Sequence, residues 1–252
     1  MNSPELREAY NANLPKITQF YTEYGQNPRL FARFKALGTS GAIKQLSAAQ
    51  RAVIEHELRD FRLGGAELPA DKKQRYTELR EKLSALSSRF SDNLLDATNA
   101  FAHYVESKEA LAGIPDDVLE AAREAAAADG KPGWKFTLHF PSYFPVLQYA
   151  EDRALRRTLY EANVTRASEL GAQYGGGKAE WDNTANMAEQ LTLRAEEAHM
   201  LGYRNFGEVS LVPKMAASAR SVTPADRRAA GAKAGHEERA RRPFARRRGS
   251  TV

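Results

Sequence analysis

Residues 182–216, DNTANMAEQLTLRAEEAHMLGYRNFGEVSLVPKMA, read as two helices joined by a punctuated turn. Asp182 is placed to cap the first, its carboxylate accepting free N–H groups of the opening turn. Met187, Leu191, Ala195, Ala198 and Leu201 follow at steps of three and four, which is one apolar helical face. Gly202 stands where a left-handed residue closes a helix, and Tyr203 is placed to fold back as its hydrophobic contact. Asn205 restarts the pattern as a second cap, with Glu208 three residues on, the spacing of a capping box. Pro213 has no N–H to give a helix interior, so the second helix is short. Caps and stops at these intervals decide for a helical fold.

The same grammar runs through the residues upstream. Ser3-Pro4-Glu5 is a helix start, continued by Tyr10, Leu14, Ile17, Tyr21 and Tyr24 and ended by Gly25. Asn27-Pro28 opens a second helix carrying Leu30, Phe31, Phe34 and Leu37. A third starts near Ser47, carries Val53, Ile54, Leu58 and Phe61, and stops at Gly64-Gly65. Between Asp71 and about Ser107, the residues Tyr76, Leu79, Leu83, Leu86, Phe90, Leu94, Ala97, Phe101 and Val105 recur without a Pro or Gly among them. One long helix with a single apolar stripe is expected there, packed inside a helical domain, because the steps drift from a strict heptad.

A helix follows Gly113-Ile114-Pro115 and runs to Gly130, and Lys131-Pro132-Gly133 is a turn. Trp134, Phe136, Leu138 and Phe140 then alternate with polar residues, which predicts one short strand whose partner is open. Pro141 and Pro145 are expected to bound a tight connection. An amphipathic helix from about Glu151 to Leu170 uses Leu155, Leu159 and Ala162, and Gly175-Gly176-Gly177 is expected to be a flexible loop. The fold class is therefore all-α, a multi-helix array with at most one short strand pairing.

A chain of 252 residues, 42% apolar and 27% charged, can bury a substantial core and has the balance of a globular protein. No apolar run approaches the roughly eighteen residues of a membrane span, and MNSPELREAY has neither the basic start nor the apolar centre of a secretory signal. A cytoplasmic location without a membrane partner is expected. Cysteine is absent, which excludes disulfides, thiolate ligands and thiol nucleophiles. The net charge of +5 is uneven: residues 216–252 hold ten Lys/Arg against three Asp/Glu, and residues 1–215 hold 27 against 29. The basic character belongs to the tail alone.

Several runs carry a resemblance. They are Asp182-Asn183-Thr184, Leu191-Thr192-Leu193-Arg194, Ala198-His199-Met200-Leu201-Gly202-Tyr203, Asn205-Phe206 and Lys214-Met215-Ala216. Upstream they are joined by Trp134 to Leu138, Pro141 to Leu147, Arg166-Ala167-Ser168, Ser3 to Arg7 and Asn27-Pro28-Arg29-Leu30. Together they resemble the thimet oligopeptidase and oligopeptidase A family of zinc metallopeptidases, over nearly everything from Ser3 to Val222. The resemblance implies two helical lobes flanking a deep channel, short unstructured peptides as substrates, and a zinc ion held by a His-Glu-x-x-His helix and a downstream Glu. This chain resembles the part before the metal helix, which forms channel wall and scaffold. By the same resemblance Met1 falls inside the family's helical domain.

After Val222 the character changes. Residues 223–252 contain no Leu, Ile or Met and a single aromatic, Phe244, so no apolar face can form and disorder is expected. The division expected is a helical region over 1–222 and a basic tail over 223–252. The Ala-, Arg- and Gly-heavy composition fits a GC-rich gene read out of frame, which suggests a departure from the ancestral reading frame near Val222.

The chemistry such a peptidase needs is missing. Two His one turn apart would bind the metal, and the Glu between them would act as base on its water. His56-Glu57 is followed by Asp60 where the second His should stand, and His236-Glu237 by Ala240. Glu196 and His199 form a Glu-x-x-His step, but the chain offers no second one to build a di-metal bundle site. His103 and His139 have no companion at ligand spacing. Gly175-Gly176-Gly177-Lys178 lacks the gap and the Ser/Thr of a phosphate loop. Arg239 to Arg248 could hold nucleic acid through phosphates, yet lacks interleaved aromatics. The expectation is a chain with no catalytic, cofactor-binding or metal residues of its own, inactive alone, with a complementing C-terminal polypeptide as a partner. The alternatives are a stand-alone helical peptide-binding or interaction module, and nucleic-acid binding through the tail.

Overall fold

The structure, a computed structural model, describes residues 3–175 and 177–215. The expected tail and the change of character at Val222 lie outside the described residues. In chain order the helices and strands are α1 Pro4–Gly25, α2 Pro28–Thr39, α3 Ala48–Leu63, α4 Ala70–Ala100, β1 His103–Val105, α5 Asp116–Ala128, β2 Trp134–Phe136, α6 Phe140–Tyr149, α7 Arg153–Thr165, α8 Gly171–Tyr174, α9 Thr184–Met200 and α10 Phe206–Leu211. The chain is an all-α array with one antiparallel strand pair. None of the described helices is long and apolar enough to cross a membrane.

The described residues form two compact units. One comprises residues up to Lys16 together with Glu81–Thr192; the other comprises Ile17–Arg80 and the described residues from Leu193 onward. The division falls inside α1, α4 and α9.

In the first unit the core surrounds the strand pair. His103, Tyr104 and Val105 face Phe136, Lys135 and Trp134 in register. Val105, Leu111, Ile114, Phe136, Val146, Leu155 and Leu159 bury together there. Pairing explains why α4 ends at Ala100 rather than near Ser107. Phe101 and Val105 fit a helical step of four, but with His103 between them they also fit alternation, and a partner strand distant in sequence selects the extended form. The stripe from Tyr76 to Ala97 does face inward, with Tyr76, Leu79 and Ala97 buried.

Pro141 and Pro145 do not bound a loop; both lie inside α6. Pro141 sits in the first turn, where its missing N–H would have had no intrahelical partner, and the free amides of Ser142 and Tyr143 bond to His139 O. Helix α7 stops at Thr165 instead of continuing to Leu170. Ala167 adopts φ 53°, and its carbonyl accepts the Asn183 N–H at 3.0 Å.

The second unit packs Phe31, Phe61 and Ala66 with Leu30, Phe34 and Leu58 at the edges. Tyr24, Phe31 and Phe34 ring Phe61 at centroid distances of 5.7 to 5.8 Å. The expected caps are present. Asn27 accepts from the Arg29 and Leu30 amides, and Ser47 and Gln50 form a reciprocal capping box. The ends of α1 and α3 meet backbone to backbone: a Cβ built on Gly64 would stand 3.1 Å from both Gly25 Cα and Gly25 O.

The turn after α9 follows the sequence reading closely. Gly202 takes φ 83°, its N–H bonds to His199 O, and Tyr203 N–H bonds to Ala198 O at 2.8 Å. Asn205 then accepts the Glu208 N–H, while Glu208 turns back to the Arg204 N–H and guanidinium rather than to Asn205.

Two expected faces are only partly covered, although Ala198 of α9 is buried as expected. Met187 and Leu191, placed on the apolar face of α9, are exposed at 43% and 66%. The buried residues of that helix and its entry are Asn183, Asn186, Gln190, Leu193, Glu197 and Ala198, mostly polar. In α1, Tyr10, Ile17, Tyr21 and Tyr24 are likewise exposed, and the buried residue is Thr22. On α9, hydrogen bonds from Asn183 and Asn186 to α4 accompany the polar side that faces in.

Candidate functional site

A groove of about 420 Å³ runs along α1 and α4 in the first unit. From α1 it takes Arg7, Asn11, Leu14 and Pro15, and Glu180 and Trp181 close one side. From α4 it takes Glu81 and Ser88 among others, with Asp92 and Asn93 about one turn beyond Ser88 and Asp96 about two. Arg7 forks onto Asp96, Nη1 to Oδ2 at 2.7 Å and Nη2 to Oδ1 at 2.8 Å, and its Nε is 3.4 Å from Asp92 Oδ1. That hydrogen bonding holds the guanidinium pKa above its ordinary value. Ser88 donates to Asn11 Oδ1 at 3.0 Å, tying the two helices together.

Behind the groove lies a ladder of buried amides between α4 and the start of α9. Asn93 Nδ2 donates to Asn183 Oδ1 at 3.0 Å, and Asn183 Nδ2 to Phe90 O at 3.2 Å. Asn186 Nδ2 reaches Leu86 O at 3.0 Å and Asn183 Oδ1 at 3.3 Å; Gln190 Nε2 reaches Asn186 Oδ1 at 2.9 Å. These groups would be costly if buried unpaired, so the ladder fixes the setting of one helix on the other. Sequence reasoning passed over these residues. The signal was their spacing: Asn183, Asn186, Gln190, Leu193 and Glu197 fall at steps of three and four on one face.

The cap of α9 follows from this arrangement. Asn183, not Asp182, carries the carbonyl that accepts the first intrahelical bond, from Met187 N–H at 2.8 Å. Asp182 stands one residue earlier and takes the Thr184 N–H at 2.8 Å.

In the second unit Glu197, 3% exposed, accepts from Arg80 Nη1 at 2.9 Å through Oε1. Its Oε2 is buried without a hydrogen bond among the described residues. The Tyr76 hydroxyl donates to Leu63 O at 2.7 Å, and burial pushes its pKa up.

The histidines do not converge. His56 is exposed on α3, and Asp60, one turn on, bonds to Arg59 Nε at 2.8 Å. Glu196 is forked onto Arg75 at 2.7 and 2.8 Å, which holds its carboxyl below the usual range. His199 instead lies with Nε2 3.2 Å from Arg204 O. His103 is half-buried in β1, and desolvation lowers its imidazole pKa. His139 is exposed, one residue before α6. The amides of Gly175 and Gly177 both bond to Gly171 O. Gly176, His236 and Arg239 to Arg248 lie outside the described residues.

Among the described residues no three His, Cys, Asp or Glu side chains gather so as to hold a metal ion. The full sequence contains no His-Glu-x-x-His either, so the donor set does not fit the zinc that the resemblance implies.

Residues 1–73 match the neurolysin/thimet oligopeptidase N-terminal domain, and residues 146–240 match peptidase family M3. The chain belongs to the thimet oligopeptidase and oligopeptidase A family of peptidases. Within that family it is similar to oligopeptidase A of Haemophilus influenzae, 45% identical over 221 residues, with 88% of this chain and 32% of the relative covered. Oligopeptidase A of Escherichia coli is 41% identical over 221 residues, with the same shares covered. The probable cytosolic oligopeptidase A of Arabidopsis thaliana is 37% identical over 223 residues, with 85% of this chain and 30% of the relative covered. The chain thus spans about a third of the length of these relatives.

Proposed function

We propose that this chain supplies scaffold and channel wall to an oligopeptidase acting on short peptides, and that it does not cleave peptides by itself. One observation carries the reading. This chain aligns with a family relative over 88% of its own length and 32% of the relative's, yet its 252 residues contain no His-Glu-x-x-His helix to bind a metal and activate water. The outward apolar faces support it. Tyr10, Ile17 and Tyr21 of α1 are 57%, 52% and 67% exposed, and Leu191 of α9 is 66% exposed. Such surfaces suit burial against further polypeptide, and the proposed partner is one carrying the remaining family sequence.

The test is hydrolysis of an internally quenched short peptide by the purified chain, with zinc supplied and metal content measured. The expected outcome is no chelator-sensitive turnover and no stoichiometric zinc. Turnover that rises with bound zinc and stops with chelator refutes the proposal.

A further inference from the structure

The chain contains one Asp-Gly step, Asp129-Gly130, and no Asn-Gly step. Glycine puts no side chain in the way of its own nitrogen, so the Gly130 amide can approach the carboxyl before it. Attack of that nitrogen on Asp129 Cγ forms a C–N bond. The hydroxyl of the protonated carboxyl leaves with the amide proton as water, and a five-membered succinimide closes. Water then adds to either ring carbonyl and reopens the ring, giving back aspartate or yielding isoaspartate, whose main chain runs through the side-chain carbon. Solvent water is the sole co-reactant, and no oxidant or reductant enters.

Two conditions govern this step: the carboxyl must carry a proton, and the nitrogen must be free to turn toward Cγ. The fold opposes both. Asp129 is the C-cap of α5, and Gly130 follows it with φ 67°. The Gly130 N–H bonds to Ala127 O at 2.9 Å and the Lys131 N–H to Ala126 O at 3.0 Å, which fixes the peptide group between residues 129 and 130. The strand pair holds the side chain. The Tyr104 hydroxyl donates to Asp129 Oδ2 at 2.6 Å, and Lys135 Nζ stands 2.5 Å from the same oxygen. Tyr104 and Lys135 face each other in register across β1 and β2, and Lys131 Nζ lies 3.8 Å from the Tyr104 ring centroid. Hydrogen bonding from Lys135 and then from Tyr104 keeps the carboxyl below its usual range, and hence without a proton. Asp129 is nevertheless exposed, so water reaches it.

From this geometry we propose that Asp129 is the chain's site of spontaneous isoaspartate formation, and that the Tyr104–Lys135 clamp and the Gly130 turn set its rate. While the turn is closed, conversion is slow. When β2 parts from β1 or the end of α5 frays, carboxyl and nitrogen are released together. Isoaspartate lengthens the main chain by one carbon between α5 and β2. The turn leads directly to Gly133, where a Cβ would stand 2.3 Å from Val105 O, so the added carbon has little room and the change records each opening. The inference does not depend on the scaffold reading, because it involves neither metal nor peptide cleavage.

The test ages the intact chain near neutral pH, folded and in urea. Isoaspartate is counted by enzymatic methylation of isoaspartyl carboxylates and placed by Asp-N digestion with tandem mass spectrometry. Conversion is expected at residue 129 ahead of every other aspartate, and at least about tenfold slower in the folded chain than in urea. The double variant Tyr104→Phe/Lys135→Met, folded by circular dichroism, should convert about three- to tenfold faster than the folded parent, as expected for the loss of two contacts to an exposed carboxylate. If that variant does not fold, Tyr104→Phe alone, which removes one hydroxyl, should give about a two- to threefold increase. Equal rates folded and in urea, isoaspartate appearing first at another residue, or a folded clamp variant no faster than the parent overturns the inference. The assay uses no zinc and no peptide substrate, so its failure leaves the scaffold reading where it was.

Discussion

Truncating Asn183 to alanine tests whether amides, rather than hydrocarbon, hold α9 against α4. Asn183 is 1% exposed and takes part in three side-chain hydrogen bonds, at 3.0, 3.2 and 3.3 Å. The losses are unequal. Asn186 Nδ2 keeps Leu86 O, whereas Asn93 Nδ2 loses the one partner it has among the described residues. Leaving that donor unpaired costs about 1–3 kcal/mol, and the bond to Phe90 O adds about 0.5–1.5 kcal/mol. Asn183→Ala should therefore destabilise the chain by about 1.5–4.5 kcal/mol in urea unfolding followed by circular dichroism. Asn183→Asp keeps the oxygen that accepts from Asn93 and Asn186 but sets its other oxygen against Phe90 O, and burial raises the folded-state carboxyl pKa. A raised pKa means more protons bound when folded, so its deficit should be largest near about pH 7 and shrink toward about pH 4. A cost below about 0.5 kcal/mol for Asn183→Ala, the level of an ordinary surface change, would refute the reasoning.

The other expectations concern the turn, a titrating group and the outer face. Gly133 has φ 81°, and a Cβ there would stand 2.3 Å from Val105 O, so Gly133→Ala should cost about 3 kcal/mol or more; Gly130, φ 67° with nothing within 4 Å, should cost about 1 kcal/mol in the same unfolding assay. Burial lowers the pKa of His103, so the unfolded chain takes up a proton first as pH falls. The contribution is intact above about pH 6.5 and lost below it, and an NMR titration midpoint at or above the free-imidazole value would contradict this. Leu191→Gln, on the outer face of α9, should change stability by less than about 0.5 kcal/mol and reduce self-association in sedimentation velocity.

The parts of the fold that are written locally were legible in the sequence. Asn27, Ser47, Gly202 and Asn205 act within a few residues of themselves, and each does at its helix end what its chemistry dictates. The absence of a His-Glu-x-x-His helix is a local matter too. What escaped the reading depends on distant partners. Helix α4 stops where β2 takes up β1, and β2 lies well downstream. The groove escaped for the same reason: Arg7 and Asp96, its central pair, are 89 residues apart. The inward faces of α1 and α9 were misread because hydropathy marks the side that shuns water without saying which neighbour will cover it. On α9 the covered side was chosen by amides that match one another, a property that apolar periodicity does not register.

The contact between Gly25 and Gly64 has a bearing on how relatives of this chain are compared. Two main chains approach closely there: a methyl on Gly64 would sit 3.1 Å from the facing Cα, so the facing backbone would have to give by a few tenths of an ångström. A side chain at 64 would press on the facing helix end, whereas a Cβ at 25 would stand 3.4 Å from Gly64 Cα, an ordinary contact. Glycine persisting at position 64 across a set of homologues would then report a close backbone approach, and an invariant residue so placed should not be mistaken for a mark of catalysis.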